Sequence, residues 1–401
     1  MAKSPRVADF STHLSGPVAS RRLAQMGADV IKIEHPTLGD GNRSFPPMFH
    51  EDGIHHLYLN AGTRSLALDW RSPSWSRTVA AIARWADVVI VGNRPAQAQR
   101  MGIDAASLLA HKPELVYCMI TGYGLAGEWA ALPAHGLNMD ALAGAIPLEW
   151  QDGQPEVPEH YRSVGTTVAG IEAVAGIYAA LHRCSRGEGG QIVHVSIWEA
   201  ALAWQWRDLA TFANLERPWT AYRDLGSRYA VYGTQDAKAL LVCPIERRFW
   251  DSFCAVLELP DDVRARGDWS SGSDMGSDYI ALGERMLIGE RLRLKPRDAW
   301  VALLREAQVP VAPVLDWRES MASAHAQANG TMASYDYRER EVRVPVAPVS
   351  VTAASAAGST EAIAEAHRRR AEQVPRAPYL GEHNDEILQE LGLADGAAHA
   401  H

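Results

Sequence analysis

The sequence predicts an α/β protein in which helices cover a parallel sheet, joined to a smaller α+β domain. Three observations support this prediction. Strand-like and helix-like segments alternate at short intervals through the first half of the chain, as in parallel sheets with crossover helices. The length of 401 residues exceeds the usual size of one domain. From residue 226 onward the pattern changes to a hairpin followed by short helices.

The first half contains short β-rich runs separated by helix-like stretches. The runs that predict strands are "RVADF", "DVIKIE", "DVVIVG" and "LVYCMITGYG". The stretches that predict helices are "GPVASRRLAQMG", which Gly27 closes, "SWSRTVAAIARWA", "DAASLLAHKP" and the long run at 166–184. The stretch "GQIVHVSIWEAAL" predicts a strand that leads into a further helix. Together these elements give a large domain over residues 1–206.

The pattern loosens over residues 207–225, which we expect to be a linker. The small domain then covers residues 226–325 and opens with "RYAVYGTQDAKALLVCPI", which predicts a hairpin. Residues 326–401 form a last segment, in which "AEQVPRAPYLGEHNDEILQELGL" predicts a proline-rich run followed by an amphipathic helix.

Composition narrows the class of partner and the compartment. The net charge of −9 argues against a nucleic-acid partner, because phosphate binding needs a basic face. The four cysteines are scattered without a Cys-x-x-Cys pair, which argues against a disulfide framework or a zinc site and favours a reducing compartment. There is no signal-peptide pattern and no run of ~18 apolar residues. We therefore expect a soluble cytoplasmic protein without a metal or a membrane partner.

The stretch "GYGLAG" at 122–127 matches the Gly-x-Gly-x-x-Gly pattern of dinucleotide-binding sheets. That pattern requires its last glycine to open a helix that receives the pyrophosphate. Here "EWAALPAHG" follows, with Pro133 six residues on. We therefore predict a tight surface turn and no nicotinamide or flavin cofactor.

Three residues are candidates for chemistry on local grounds. His135 stands in "LPAHGLNMDALAG", where a loop gives way to a helix that carries Asp140. A histidine there could exchange a proton with a ligand near neutral pH, although a plain surface role is the commoner case. Thr166 opens the long helix, where threonine is an ordinary N-cap, and its hydroxyl is a poor nucleophile without an adjacent base.

Arginines recur at loop ends, where a guanidinium group suits phosphate or carboxylate binding. Arg64, Arg94 and Arg100 are of this kind, and scattered surface arginines are the alternative explanation.

Seven stretches, in order, resemble the class III CoA-transferase family, which includes formyl-CoA transferase, carnitine CoA-transferase, benzylsuccinate CoA-transferase and the α-methylacyl-CoA racemases. The stretches cover nearly the whole chain: "VADFSTHLSGPVASRRLAQMGADVIKIEHPTLGD", "NAGTRSLALDWRSP", "ADVVIVGNRPAQAQRMGI", "PELVYCMITGYGLAGEW", "GIYAALHRCSRGEGGQIVHVSIWEA", "VPVAPVLDWRE" and "PYLGEHNDEILQELGL".

The resemblance implies a fold and a reaction. The large domain would be Rossmann-like, residues 326–401 would return to it, and two open rings would interlock as a dimer. The substrates would be an acyl-CoA and a carboxylic acid, with no permanently bound cofactor and no metal.

The resemblance also implies a catalytic residue that this chain lacks. In the family's transferases an aspartate follows the glycine at the head of the long helix and attacks the acyl-CoA, giving anhydride and thioester intermediates. This chain has Thr166 after Gly165. His135 matches a histidine of the family's racemases, but Gly136 replaces the aspartate beside it. Glu246 matches a glutamate near the family's site.

The CoA-binding residues that the resemblance implies are a mixture of kept and changed positions. Arg100 matches a CoA-contacting arginine, His35 replaces another, and the glycine-rich loop over the family's site is reduced to Gly226-Ser227. The expected set is Thr12, His35, Arg64, Asn93, Arg94 and Arg100.

Four functions remain open from the sequence. The first is the non-nucleophilic subunit of a heteromeric CoA-transferase, paired with a homologous aspartate-bearing subunit as in benzylsuccinate CoA-transferase. The second is a racemase-like enzyme in which His135 moves a proton. The third is a self-sufficient transferase, as a homodimer, that uses Asp140 or Glu246. The last is an acyl-CoA-binding protein without turnover.

Overall fold

The computed structural model describes residues 4–220, 225–276, 281–354, 358–372 and 374–393. The chain forms two compact units. The first contains Met1–Trp206 and Ala324–His401, and the second contains Arg207–Ser323.

The strands are β1 (Arg6–Asp9), β2 (Asp29–Glu34), β3 (Met48–Phe49), β4 (Asp52–Gly53), β5 (Arg64–Ala67), β6 (Val88–Val91), β7 (Val116–Thr121), β8 (Glu149–Gln151), β9 (Gln154–Glu156), β10 (Gln191–Ser196), β11 (Ala230–Gly233), β12 (Ala239–Val242), β13 (Val311–Val314), β14 (Met332–Tyr337) and β15 (Arg340–Pro345).

The α-helices are α1 (Ser15–Gln25), α2 (Ile54–Leu59), α3 (Trp75–Trp85), α4 (Pro95–Met101), α5 (Ala105–Leu109), α6 (Gly136–Leu142), α7 (Val164–Ser185), α8 (Ile197–Trp204), α9 (Trp206–Leu215), α10 (Arg247–Leu257), α11 (Asp261–Arg264), α12 (Ala281–Leu292), α13 (Arg297–Glu306), α14 (Trp317–Ala322), α15 (Ala324–Ala328), α16 (Thr360–Arg368) and α17 (Asn384–Glu390).

The first unit is built on a six-stranded sheet in the order β10-β7-β6-β1-β2-β5, in which every pair of neighbours is parallel. This is the strand order of doubly wound, Rossmann-like sheets. The order reverses between β1 and β6, and in such sheets a crevice opens there at the carboxyl ends of the strands. The predicted α/β class with a Rossmann-like parallel sheet is confirmed.

Helices cover both faces of this sheet because its strands are apolar on both sides. One core contains α3 and residues of α17, and the other contains α1 and α7. Helices α1 and α7 lie close together at Gly170, where a Cβ atom would stand 2.6 Å from the Ser15 carbonyl oxygen. Glycine at this position therefore allows the two helices to approach.

Helix α7 is long and apolar enough to cross a membrane, with a mean hydropathy of 1.5. It nevertheless packs in the core beside α1 and the sheet, through Ala173, Val174 and Ile177. These contacts are those of a core helix.

The last segment of the chain adds to the first unit. Strands β14 and β15 form an antiparallel hairpin, and Ile387, Leu388 and Leu393 enter the core beside β1 and β2.

The second unit contains an antiparallel sheet in the order β11-β12-β13, with α10, α12 and α13 contributing to its core. Arg228 is 2% exposed within it. Its guanidinium pairs with both Glu284 oxygens at 3.0 Å and lies 4.2 Å from the ring centre of Trp250.

The predicted strands, the long helix and the hairpin of β11 and β12 are present. Strand β5 and the hairpin of β14 and β15 were not predicted, and helix α9 occupies part of the expected linker. Residues 221–224 of that linker lie outside the described residues.

Candidate active site

The candidate site is the crevice at the carboxyl ends of the strands in the first unit. The loops after β1, β2, β6 and β7 meet there, because a parallel sheet brings these ends to one edge. A Cβ atom on Gly92, after β6, would lie 3.0 Å from Cβ of Ser11, after β1. A Cβ atom on Gly122, after β7, would lie 3.4 Å from Ala134. The "GYGLAG" turn is thus part of the crevice wall, and no helix starts at its last glycine.

The amino terminus of α7 faces this crevice and is capped by a carboxylate from another helix. Asp140 of α6 is fully buried. Its oxygens accept hydrogen bonds from the backbone N–H groups of Val164 at 2.9 Å and Gly165 at 3.0 Å. The Tyr161 hydroxyl donates a third bond at 2.9 Å. The N–H groups at this end have no partner within α7 itself, and together with the helix dipole they stabilise a negative charge there.

Tyr161 is held in its protonated form by this arrangement. Burial and the adjacent Asp140 carboxylate raise the pKa of the Tyr161 hydroxyl above its ordinary value. Tyr161 therefore acts here as a hydrogen-bond donor to Asp140.

Thr166 lies in the first turn of α7 and is 4% exposed. Its hydroxyl lies 3.2 Å from Ser163 Oγ and 3.4 Å from the Ser163 carbonyl oxygen. Neither of these described partners is a histidine or a carboxylate, so neither activates the hydroxyl as a base would.

His135 lies near Thr166, because the residue after it, Gly136, packs against Ser163 and Thr166. A Cβ atom on Gly136 would lie 3.0 Å from both Ser163 Oγ and Cγ2 of Thr166. His135 itself is exposed, and its backbone N–H donates to Asn138 at 2.8 Å. The structure thus brings His135, Thr166 and Asp140 together at the starts of two helices.

A second imidazole faces His135. The rings of His13 and His135 meet edge to face with their centres 6.4 Å apart. His13 is exposed, adopts a left-handed backbone conformation with φ of 68°, and its N–H donates to Asp40 at 3.0 Å. This rare conformation for a non-glycine residue turns the loop after β1 toward the loop before α6.

A buried ion network supports the loop after β1. Lys32 is fully buried, and its ammonium lies 3.0 Å from an Asp9 oxygen and 3.1 Å from an Asp40 oxygen. Burial alone would raise the pKa of Asp40, but Lys32 and backbone N–H donors hold it at about 2. Asp40 also accepts from the Thr12 hydroxyl at 2.9 Å. The network therefore fixes the loop that carries His13.

The network extends to a second buried pair. Arg43 donates to both oxygens of Glu34, at 2.7 and 2.8 Å, and to Nε2 of His56 at 3.1 Å. Burial, together with the neighbouring Arg43 cation, lowers the pKa of His56 to about 4. His56 is therefore a neutral structural residue at physiological pH.

Five of the six expected CoA-binding residues lie at the carboxyl edge of the sheet. Thr12, His35, Asn93, Arg94 and Arg100 follow strands β1, β2 and β6 or lie in α4. The Arg94 guanidinium is exposed and lies 3.4 Å from the Ala131 carbonyl oxygen. The side-chain oxygen of Asn93 is buried without a hydrogen-bond partner among the described residues. These positions suit a ligand that carries phosphate and hydrogen-bonding groups.

Arg64 does not lie with the others. It begins β5, so it stands at the amino edge of the sheet, opposite the crevice. Its guanidinium pairs with Asp29 at 2.7 Å and with Glu386 and Glu390 of α17 at 2.9 Å. Because the Arg64 guanidinium is already paired with three carboxylates, this geometry argues against the expected contact with CoA. It indicates instead that Arg64 holds α17 in place.

Two further expected features lie in the second unit. Glu246 precedes α10, and its carbonyl oxygen accepts from the N–H groups of Phe249 and Trp250. Ser227 is buried, with its N–H bonded to Gly276 at 3.1 Å. The Gly226-Ser227 stretch is therefore held in place within this unit.

Sequence reasoning missed His13 and Tyr161. His13 stands directly after a β-strand in "FSTHLSG", and the rule that ligands bind at the carboxyl ends of parallel strands would have selected it. No sequence signal pairs Tyr161 with Asp140, because the contact depends on how α6 meets α7. Within the part of the chain that the structure describes, no group of three or more His, Cys, Asp or Glu residues could hold a metal ion.

Comparison with known proteins gives one consistent result. The model of CoA-transferase family III matches residues 4–384. A succinate–glutarate CoA-transferase of Agrobacterium fabrum is 28% identical over 412 residues, covering 98% of this chain and 96% of its own. The beta subunit of a succinyl-CoA–L-malate CoA-transferase of Chloroflexus aurantiacus is 23% identical over 406 residues, covering 97% and 94%. A crystal structure of a CaiB/BaiF family protein from Brucella suis matches with a TM-score of 0.75 at 22% identity, covering 96% and 98%.

Proposed function

The chain belongs to CoA-transferase family III, and on that premise we propose that it is the non-nucleophilic subunit of a heteromeric enzyme. That enzyme moves CoA from an acyl-CoA to a carboxylic acid. The partner is a homologous chain that keeps the glycine-aspartate pair at the head of its long helix. We place CoA in the crevice on the basis of the family resemblance.

One observation carries the proposal. Thr166 stands where the resemblance requires a nucleophilic carboxylate, and its hydroxyl has Ser163 as its neighbour, with no base among its described partners. In the family's reaction a carboxylate attacks the thioester carbonyl, expels the CoA thiolate and forms a mixed anhydride. The thiolate then attacks the enzyme-side carbonyl of that anhydride, which gives an enzyme thioester and releases the donor acid as a carboxylate. A threonine hydroxyl without a base does not start this sequence.

The geometry of Asp140 argues against a self-sufficient transferase that uses this residue. Its carboxylate is fully buried and accepts three hydrogen bonds, two of them from the backbone of α7. To attack an acyl-CoA it would have to leave the helix terminus that it stabilises. We therefore assign Asp140 a positioning role.

Exposed apolar side chains of the first unit support a second chain. Ile171 and Tyr178 lie seven residues apart on α7, and therefore on one face of that helix, and are exposed by 47% and 37%. Trp204 on α8 and Ile192 on the edge strand β10 are exposed by 64% and 61%, and Ile192 faces away from α7 because its strand partner Tyr117 belongs to the other core. Large apolar side chains left exposed on a folded unit are typical of protein interfaces. One of the relatives is itself named as the beta subunit of a CoA-transferase. Homodimerisation is the alternative assembly.

The names of the relatives suggest the first substrates to test. They refer to succinate, glutarate, succinyl-CoA and L-malate, which are small dicarboxylic acids or their thioester. Succinyl-CoA with glutarate or malate is therefore the starting pair. The free cysteines support a reducing, cytoplasmic location for the enzyme.

The test co-expresses this chain with a family member that keeps the glycine-aspartate pair, taken first from a neighbouring gene. Turnover in the presence of hydroxylamine should label the partner and leave this chain unlabelled in mass spectrometry. Thr166→Val in the complex should keep the transfer rate within about threefold, because the proposal gives the hydroxyl no covalent role. An acyl or CoA adduct on this chain, or full activity of the isolated chain, would disprove the proposal.

The matched variant is Thr166→Asp in the isolated chain. It restores a carboxylate at the amino terminus of α7, and hydroxylamine should then trap an adduct on residue 166, whereas the isosteric Thr166→Val should give none. Labelling of both variants to the same degree would point to a nucleophile elsewhere.

The contact between His13 and His135 favours a second candidate, a racemase-like proton transfer at the α-carbon of an acyl-CoA. The thioester acidifies that proton, and a histidine can remove it near neutral pH. Deuterium uptake from D₂O into the α-position, lost in His135→Ala and kept in the exposed control His111→Ala, would support this function over transfer.

A further inference from the structure

A cavity of about 790 Å³ lies in the first unit, away from the crevice. Helix α1 starts at the crevice and leads away from it, and the second half of α1 forms one wall of the cavity. Residues of the last segment form the opposite wall, among them Val349, Ser350, Arg369 and Arg370. The family reaction proposed above makes no use of this cavity.

Arg21 of α1 lines the cavity and is 2% exposed. Its Nη1 group donates to the Ala61 carbonyl oxygen at 2.5 Å, and the Tyr58 ring lies 5.7 Å from the guanidinium carbon. Its Nε and Nη2 atoms are buried and have no hydrogen-bond partner among the described residues. These two N–H groups lie side by side on one edge of the guanidinium, which is the fork that binds both oxygens of a carboxylate.

A second free donor lies one helical turn further along α1. Gln25 accepts a hydrogen bond on Oε1 from Arg22 at 3.0 Å. This contact leaves the Gln25 amide nitrogen buried and without a partner among the described residues, and Gln25 also lines the cavity. Arg21 and Gln25 are four residues apart, so both lie on the same face of the helix.

The charge of Arg21 is not balanced within the described part of the chain. No carboxylate there pairs with it, and Glu365, which also lines the cavity, is engaged by Arg368 at 2.8 Å and Arg369 at 3.0 Å. A buried cation without an anion is unfavourable, and an anion bound at the fork would remove that cost.

The rest of the cavity lining indicates what the remainder of the ligand is like. Ala24, Val349, Val351 and Ala366 present an apolar lining. From the free fork, the second donor and this lining, we propose that the cavity is a binding site for an organic carboxylate with an apolar chain. Its head group would lie on Arg21 and Gln25, and its chain would lie against the alanine and valine side chains.

The probe for the test is octanoate, titrated into the purified full-length protein by calorimetry. Octanoate should bind, and octanamide, which has the same chain without the charge, should bind at least about tenfold more weakly. Inorganic phosphate should not displace octanoate at equal concentration, because it lacks the apolar body. Saturating CoA should leave octanoate binding unchanged, which separates this site from the crevice whatever the outcome of the transferase assays.

Two variants test the residues. Arg21→Met keeps the apolar stem, removes the fork and should weaken octanoate binding at least about tenfold. Arg77→Met on the exposed face of α3 makes the same change in charge and should have no effect. If Arg21→Met does not fold, Ala24→Phe fills the cavity from α1 and should abolish binding with an unchanged circular dichroism spectrum. Equal binding of octanamide, equal binding by Arg21→Met, or competition by CoA would overturn the proposal.

Discussion

Replacing Asp140 tests the contact by which helix α6 caps the amino terminus of the neighbouring helix α7. In Asp140→Ala the N–H groups of Val164 and Gly165 and the hydroxyl of Tyr161 lose their acceptor. Gly165 is buried, so water does not readily replace the lost bond there.

The magnitude follows from these three bonds. Loss of an N-cap costs about 1 kcal/mol, and loss of a charge at the positive end of a helix adds up to about 1 kcal/mol more. The buried, unsatisfied N–H adds about 1–3 kcal/mol. We therefore expect Asp140→Ala to lower the free energy of unfolding by about 3 kcal/mol. Asp140→Asn keeps one acceptor oxygen and should cost about half as much, and Tyr161→Phe should cost about 1 kcal/mol.

Urea unfolding followed by circular dichroism measures these differences. The control is Asp152→Asn in the exposed turn between β8 and β9, where the change should stay within about 0.5 kcal/mol. Well below the unfolding transition, Asp140→Asn in the complex should still support transfer. An unchanged midpoint for Asp140→Ala would refute the capping role, and complete loss of transfer in a folded Asp140→Asn protein would restore this residue as a nucleophile.

Three further predictions concern stability. Burial lowers the pKa of His56 from 6.5 to about 4, so the neutral form stabilises the fold above pH 6.5. The free energy of unfolding should therefore fall by about 3 kcal/mol as the pH is lowered toward 4, and His56→Gln should flatten this part of the stability curve. Gly170→Val places a side chain 2.6 Å from the backbone of α1 and should cost at least about 2 kcal/mol in thermal unfolding, whereas Gly283→Ala, with open space around it in α12, should be neutral or slightly stabilising. Arg228→Met leaves Glu284 buried without its cation and should destabilise the second unit by about 3–5 kcal/mol in urea, while the double change with Glu284→Gln should recover part of the loss.

Much of the fold could be predicted because the parallel strands are short, apolar and separated by clear helices. Strand β5 was not predicted because "RSLA" has only four residues and follows a turn. Its place in the sheet depends on pairing with β2 and on the contact of Arg64 with α17, and both are tertiary contacts. The hairpin of β14 and β15 likewise depends on packing with Leu57 and Ala377.

Part of the candidate site could be predicted because two of its residues carry local signals in the sequence. His135 and Thr166 carry local signals, as a loop residue before a helix and as a helix start, and the structure places them together. Arg64 has the residue type of an anion binder, but the sequence did not show that it begins its strand and therefore stands at the opposite edge. The free guanidinium fork of Arg21 had no local signal, because "SRRLAQ" reads as an ordinary amphipathic helix.

The contribution of α17 to the first core has a consequence for biosynthesis. Ile387, Leu388 and Leu393 complete a core whose other side chains come from the start of the chain, and Arg64 fastens the helix that carries two of them. Until residues 387–393 have been synthesised, this core lacks these three side chains and its apolar surface stays open. The second unit is continuous in sequence from 207 to 323, so it can fold before the residues of the last segment have been synthesised. Nascent chains of this protein should therefore acquire their interior unit first and depend longest on chaperones at their amino-terminal sheet.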